Sequence, residues 1–268
     1  MKLTIRPNLQ DYDLILLNSS AGKDSLAMID EMVLEGTRQG IPRHRFYVVH
    51  ADLGRAEWAG TRELAEQQAR HYGLRFTVVA RDQDLLDHIE QRGMFPSSTT
   101  RFCTSDHKRD QIAKVMTALV RCEGFTDQPA RMLNCLGIRA DEGHERAKKN
   151  PFQRDKRASN GKRTVDTYFP IFDWSTAQVW ARIHEQRLPY HWAYDAGMGR
   201  LSCCFCVFAT RADLVLSARL NPELAREYAA VEARIGHTFT ARLSMAQVVE
   251  EAQALGPLAP PIQLPQLV

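Results

Sequence analysis

Two groups of residues in this chain have types and spacings suited to chemistry. The first is Ser20-Ala21-Gly22-Lys23-Asp24-Ser25, a run of small, hydroxyl and charged residues directly after an apolar stretch. If it opens a helix, the unpaired N–H groups there carry partial positive charge and favour a phosphate. Gly22 lets the backbone approach closely, the Ser20 and Ser25 hydroxyls can donate to phosphate oxygens, and Lys23 adds a charge-assisted contact. The bland alternative is a strand-to-helix turn capped by serine. The spacing is not that of Walker A, which needs four residues between Gly and Gly-Lys. The second group is the cysteines. Cys203-Cys204-Phe205-Cys206 supplies a C-x-x-C pair, Cys203 and Cys206. Alone, such a pair holds zinc, forms a redox disulfide, or does nothing. Cys122 and Cys135 read as buried or incidental thiols.

Strands and helices alternate around these groups. Asp13 to Asn18 is a compact apolar run that reads as a buried strand, and a helix follows with Leu26, Ile29, Met32 and Val33 on one face. Further strands are expected at Phe46 to His50, Phe76 to Ala80, Met132 to Ile138 and Thr164 to Ile171. Helices are expected from Ala56 to Tyr72, Asp106 to Cys122 and Ser175 to Gln186. The alternation implies an α/β class, a doubly wound parallel sheet of five strands with right-handed crossovers. The expected organisation is an α/β domain over 1–187 and a smaller helical extension over 188–268 that carries the C-x-x-C pair.

Composition narrows the function classes. The 268 residues are 44% hydrophobic and 25% charged, as in ordinary globular proteins. No run of 18 apolar residues exists, which excludes a membrane-spanning helix. The first residues, MKLTIRPNLQDYD, lack the apolar core of a signal peptide, so the expectation is cytoplasmic. There the cysteines read better as metal ligands or redox groups than as disulfides. A net charge of +3 allows an anionic ligand without demanding nucleic acid. Lys148 to Arg163 holds seven basic residues and one acid, which reads equally as a solvated loop or as a lid over phosphates. The proline-rich LGPLAPPIQLPQLV at the end reads as an extended strap.

In its strand-to-helix context, Ser20 to Ser25 resembles the SxGxDS signature of the PP-loop ATP pyrophosphatases, the adenine nucleotide α-hydrolase group. His50-Ala51-Asp52-Leu53-Gly54 is similar to that family's Asp-x-Gly turn beside the adenosine. Within the family the chain resembles the branch containing phosphoadenosine phosphosulfate (PAPS) reductases. Arg101-Phe102-Cys103-Thr104 with Lys108 matches its Arg-x-Cys-Thr-x-x-x-Lys segment. Gly137-Ile138-Arg139 with Glu142 and Arg146 matches Gly-x-Arg-x-x-Glu-x-x-x-Arg. Pro170-Ile171, Trp174 and Val179-Trp180 follow, and Tyr194-Asp195 with Gly197 leads into Arg200 and the cysteines. The ordered set covers residues 14 to about 214.

The resemblance implies ATP with Mg²⁺ on Ser20, Gly22, Lys23, Asp24 and Ser25, with Asp52 and Lys108 also at the nucleotide. Arg139, Arg146 and Lys108 are expected to steady pyrophosphate, and Glu142 to orient an arginine or help hold Mg²⁺. Lys23, Asp24, Arg139, Glu142 and Arg146 are thus the catalytic candidates. The family also implies a [4Fe–4S] cluster on Cys103, Cys203 and Cys206, whose soft thiolates suit iron–sulfur or zinc. Two departures from the reductases stand out: no cysteine follows Cys206, and Phe102 rather than a cysteine precedes Cys103. The implied activity is ATP pyrophosphatase chemistry that adenylates a substrate oxygen for sulfur insertion. One such setting is DNA phosphorothioation, with a DNA substrate reached through a multiprotein modification complex and a cysteine desulfurase as sulfur donor. The alternatives are a sulfonucleotide reductase-like enzyme, a tRNA-thiolating enzyme, or a non-catalytic subunit sensing ATP or redox state.

Overall fold

The computed structural model describes residues 6–126, 128–256 and 258. The proline-rich segment from residue 259 on lies outside the described residues, as do residues 1–5. By its internal contacts the chain divides into two units. The first comprises residues up to Asp52, Ala59–Arg81 and Ser105–His191, and the second Leu53–Trp58, Asp82–Thr104 and the residues from Trp192 on. The division is therefore not a single cut at 187/188: two earlier segments join the cysteine-bearing part.

The first unit is built on a sheet of six strands: β1 (Leu14–Ser19), β2 (Phe46–Asp52), β3 (Arg75–Ala80), β4 (Ala130–Cys135), β5 (Phe152–Arg154) and β6 (Arg163–Tyr168). Their order is β3-β2-β1-β4-β6-β5. All neighbours pair in parallel except β5, which runs antiparallel to β6. The five expected strands are all present, and the sixth comes from the basic Lys148 to Arg163 stretch. That stretch folds because its charges find partners: Arg154 Nε donates to Asp166 at 2.6 Å, Arg157 meets Asp110 at 2.8 Å, and buried Arg163 donates to Ala158 O and Thr117 Oγ1.

Side chains alternate along β1, as burial on both faces requires. Ile15 and Leu17 join Leu26, Met28, Ile29, Val48, Leu133, Val179 and Ile183 on one face. Leu14 and Leu16 join Tyr47, Val49, Val115, Met116 and Met132 on the other. Helix α1 (Lys23–Arg38) and the helix Thr176–Glu185 cover the first face. The helix Asp110–Cys122 covers the second. Trp174 and Trp180 pack at the margin of the first core. Helix α2 (Thr61–His71) begins later than expected, after a short 3-10 turn at Gly54–Ala56.

In the second unit, α3 (Leu85–Arg92) and the helices Arg211–Leu220, Pro222–Ile235 and Met245–Ala254 enclose one apolar cluster. Trp58, Phe95, Phe102, Phe205, Tyr228 and Phe239 are its aromatic members. The early segments belong here because Trp58 and the apolar face of α3 are buried in this cluster. Gly54 is fixed by conformation and by space: its φ is +68°, and a Cβ there would lie 2.5 Å from Asp84 Cβ.

Candidate active site

Strand order reverses at β1, with β2 and β3 to one side and β4 to the other, and open α/β sheets place ligands outside the strands' carboxyl ends at such a point. Ser20, Ala21 and Gly22 leave β1 there and α1 starts at Lys23. Asn18 Nδ2 bridges β1 to β4, donating to Asn134 Oδ1 at 2.7 Å and Cys135 O at 2.8 Å. Ala21 has φ +55°, a left-handed conformation that costs a residue with a Cβ roughly 1–2 kcal/mol. The loop is tied by its own hydroxyls. Ser19 Oγ accepts from Ala21 N at 3.1 Å, Ser25 Oγ donates to Gly22 O at 2.9 Å, and Ser20 N donates to Ser25 Oγ at 3.2 Å. Gly22 is the N-cap and offers the first turn no side chain, so the positive end of α1 is left to a ligand.

Asp24 binds two cations. Its Oδ2 lies 3.3 Å from Lys23 Nζ and its Oδ1 2.6 Å from Arg139 Nε. Lys23 is 4% exposed and Arg139 2%. Arg139 also donates to Asp141 Oδ2, Trp174 O and Thr176 Oγ1, each at 3.1 Å. Burial works against its charge, but the Asp24 carboxylate and the other acceptors outweigh it and hold its pKa above the usual arginine value. Nε and both terminal nitrogens thus each meet a protein acceptor, and Arg139 anchors Asp24 in this structure. Asp24 thus presents one carboxylate oxygen to each of these cations.

Glu142 and Arg146 form an ion pair, and Glu142 Oε2 also accepts from Arg139 N at 3.0 Å. Arg146 is half-buried. Asp52 ends β2, two residues beyond His50, which is level with Ser19 across the β1–β2 pair. The buried His50 ring meets Ser19 O through Nδ1 at 3.0 Å. Lys108 sits on a π-helical turn, Ser105–Arg109, packed against β2; such turns interrupt helices at functional sites. The structure thus places Ser20, Gly22, Lys23, Asp24, Ser25, Asp52, Lys108, Arg139, Glu142 and Arg146 in the first unit.

Reading the sequence for chemistry misses Gly137's task. A Cβ at Gly137 would lie 2.6 Å from Asp24 O and 2.9 Å from Ser25 N, so the chain after β4 presses directly on the first turn of α1. Asp141, Thr176 and Asn134 also went unread. Each is an ordinary polar residue in sequence, and its signal is only its distance from Arg139 or Asn18 in the fold.

Cys103, Cys203 and Cys206 belong to the second unit and are half-buried, and none of the six cysteines is in a disulfide. Cys103 and Cys203 pack against the same apolar cluster. Arg101 lies over the Phe208 ring at 4.9 Å, which joins the Cys103 segment to the C-x-x-C turn. The turn is held by Cys204 N to Ala56 O at 2.8 Å and Ser217 Oγ to Cys204 O at 2.6 Å. Burial pushes the Cys204 thiol up to about 12, against the ionisation a ligand needs, and pushes Cys135 up as well. Cys122 is exposed on a helix end in the first unit. Among the described residues no three His, Cys, Asp or Glu side chains gather as a single ion requires. A four-iron cluster spreads its thiolates further, each on a different iron, and three half-buried cysteines on two joined segments suit it in donor chemistry.

Among the described residues no helix is long and apolar enough to cross a membrane. The chain is 27% identical over 210 residues to an uncharacterized protein of Methanocaldococcus jannaschii, covering 78% of this chain and 39% of that one. An adenosine 5'-phosphosulfate reductase of Allochromatium vinosum is 26% identical over 201 residues, 75% of this chain and 70% of the reductase. The chain thus spans about two fifths of the first relative's length. The U34-tRNA thiolase NcsA of Methanococcus maripaludis, solved with its [4Fe-4S] cluster, has a similar fold, with TM-score 0.50, 17% identity, and coverage of 94% of this chain and 75% of that one. The profile of the phosphoadenosine phosphosulfate reductase domain matches residues 14–209, most of the chain, and the chain belongs to that family.

Proposed function

We propose that this chain binds ATP on Ser20–Ser25, directs cleavage between the α- and β-phosphates, and adenylates a substrate oxygen that is then replaced by sulfur. The observation that carries this reading is the hydroxyl-tied loop opening α1 where the strand order reverses. A substrate oxygen forms a bond to the α-phosphorus while the bond to the bridging oxygen breaks and pyrophosphate leaves. Sulfide, released from a donor persulfide by two electrons from a thiol reductant, then attacks the atom bearing the adenylated oxygen, and AMP departs with that oxygen.

The residues work by position and charge. Gly22 and the first turn of α1 receive phosphate oxygens, and Lys23 supplies positive charge. Asp24 holds Lys23 and is itself held by Arg139. Lys108 and Arg146 remain the cations for pyrophosphate, with Glu142 orienting Arg146. Mg²⁺ arrives on the phosphates of ATP, as is usual for this ion, and Asp52 is the carboxylate at the strand ends suited to meet it. Cys103, Cys203 and Cys206 would hold a [4Fe–4S] cluster, which would supply iron able to take a sulfur ligand.

The acceptor proposed is DNA, within a modification complex served by a cysteine desulfurase. Support comes from the β5–β6 hairpin and the residues just before it, which expose Lys148, Lys149, Lys156, Arg157 and Lys162. Backbone phosphates are recognised by such clusters. The test is anaerobic incubation with ATP, cysteine, a desulfurase and either DNA or tRNA, followed by mass spectrometry of the digested nucleic acid. Phosphorothioate linkages formed only with ATP support the proposal, and sulfur found on a tRNA base overturns the choice of DNA. A second reading, a sulfonucleotide reductase, is favoured by the identity to the Allochromatium enzyme. Under it, adenosine 5'-phosphosulfate binds more tightly than ATP and is reduced to sulfite by a thiol donor.

A further inference from the structure

The helix Pro222–Ile235 carries a buried tyrosine that the proposed chemistry does not use. Tyr228 is 1% exposed, and its hydroxyl meets no hydrogen-bond partner among the described residues. A buried hydroxyl left unpaired is costly, so one retained in an aromatic cluster calls for a reason. Phenylalanine would fill the same space without that cost.

The surroundings supply the reason. The Tyr228 ring packs on Phe205, the residue between Cys204 and Cys206, with centroids 5.0 Å apart. Cys103 and Cys203 pack against the same cluster. Burial raises the hydroxyl's pKa well above that of an ordinary tyrosine, so it stays a donor. Asp84 is already engaged, capping α3 through Asp87 N and pairing with Arg55 at 2.8 Å. Phe95, its ring 6.3 Å from that of Tyr228, and Phe239, 5.3 Å from Phe95, lie on the apolar side. The cysteine side chains do not pair with the hydroxyl either, so it is left without an acceptor beside the C-x-x-C turn.

We infer that Tyr228 is a positioning residue for the iron–sulfur site, its unpaired hydroxyl reserved to donate a hydrogen bond to a sulfur of the bound cluster and so to favour the reduced state. This rests on the cluster reading given above. Hydrogen bonds to cluster sulfurs raise reduction potential because they stabilise the added negative charge. The hydrogen is donated and not transferred, so no proton or electron leaves the tyrosine.

The test is Tyr228→Phe in the full chain, purified and reconstituted anaerobically beside the unaltered protein. Iron and sulfide content, a redox titration followed by visible absorption and electron paramagnetic resonance, and melting temperature without iron are measured. Iron content should match. The reduced-to-oxidised ratio at a fixed poise should fall about tenfold in the variant, a shift of about 59 mV for one electron. Without iron the variant should melt no lower, since only an unpaired hydroxyl has been removed. Equal iron with an unmoved potential and resonance spectrum overturns the role of Tyr228 and leaves the cluster standing. An unaltered protein that takes up no iron overturns both.

Discussion

Arg139→Ala removes the group on which the phosphate loop depends. In the folded chain the guanidinium is 3% exposed, with Nε 2.6 Å from Asp24 Oδ1 and three further acceptors at 3.1 Å. Truncation leaves Asp24 facing Lys23 alone and leaves Trp174 O and Thr176 Oγ1 without this donor. Breaking a buried ion pair by removing one partner costs about 3–5 kcal/mol. At about 2–4 °C of melting temperature per kcal/mol for larger domains, the variant should melt on the order of 10 °C lower. Urea unfolding of Arg139→Ala, Asp24→Ala and the double variant gives the pair's own share. The double variant should lose about 1–3 kcal/mol less than the two singles added together. Lysine at 139 should not restore stability, because one ammonium cannot span the four acceptors as the planar fork does. A loss below about 1 kcal/mol, with the two substitutions additive, would refute the claim that Arg139 anchors Asp24.

Gly137→Ala brings a methyl to 2.6 Å from Asp24 O, so the start of α1 must shift; ATP affinity measured by calorimetry should fall, with about 1–3 kcal/mol lost in urea unfolding from overpacking. His191 is buried, and desolvation lowers its pKa to about 4 from 6.5. The unfolded chain then binds the proton first, so stability present above pH 6.5 is lost as pH falls towards 4, by up to about 3 kcal/mol. Urea titrations across that window should show this slope for the unaltered chain and a smaller one for His191→Gln. Cys103→Ser and Cys206→Ser should each abolish iron binding in anaerobic reconstitution while leaving ATP cleavage measurable, and full iron retention in both would overturn the ligand set.

Strands β1, β2 and β4 were legible because each is a short, largely apolar run buried on both faces, whereas β3 is only half-buried and β6, RTVDTY, was legible by its β-branched and aromatic residues. Leu14 to Leu17 could be read without knowing which neighbour covers which side. The sixth strand was not legible. Phe152 to Arg154 lies in a basic stretch, and its pairing with β6 depends on Asp166, Asp110 and Thr117, which only the fold brings near. Helix α3 went unread for a related reason: its apolar face is short and packs with Trp58 and the C-terminal helices, a long-range match that periodicity does not show. At the site, Ser20 to Ser25 could be read because a phosphate loop is local in sequence. Arg139 was found as a residue, but its anchoring of Asp24 was not legible, since burial and the acceptors at Asp24, Trp174 and Thr176 are tertiary facts. The cysteines could be paired by resemblance, whereas the Arg101–Phe208 contact that joins their segments could not be foreseen from either residue.

The most direct test of the account is the position of the bond broken in ATP. Anaerobically prepared protein is incubated with ATP, Mg²⁺ and acceptor nucleic acid, and the products are followed by phosphorus magnetic resonance. The account predicts AMP and pyrophosphate in equal amounts, lost when Asp24 is replaced by alanine. ADP and inorganic phosphate would contradict it, as would AMP and pyrophosphate formed undiminished by the Asp24→Ala variant.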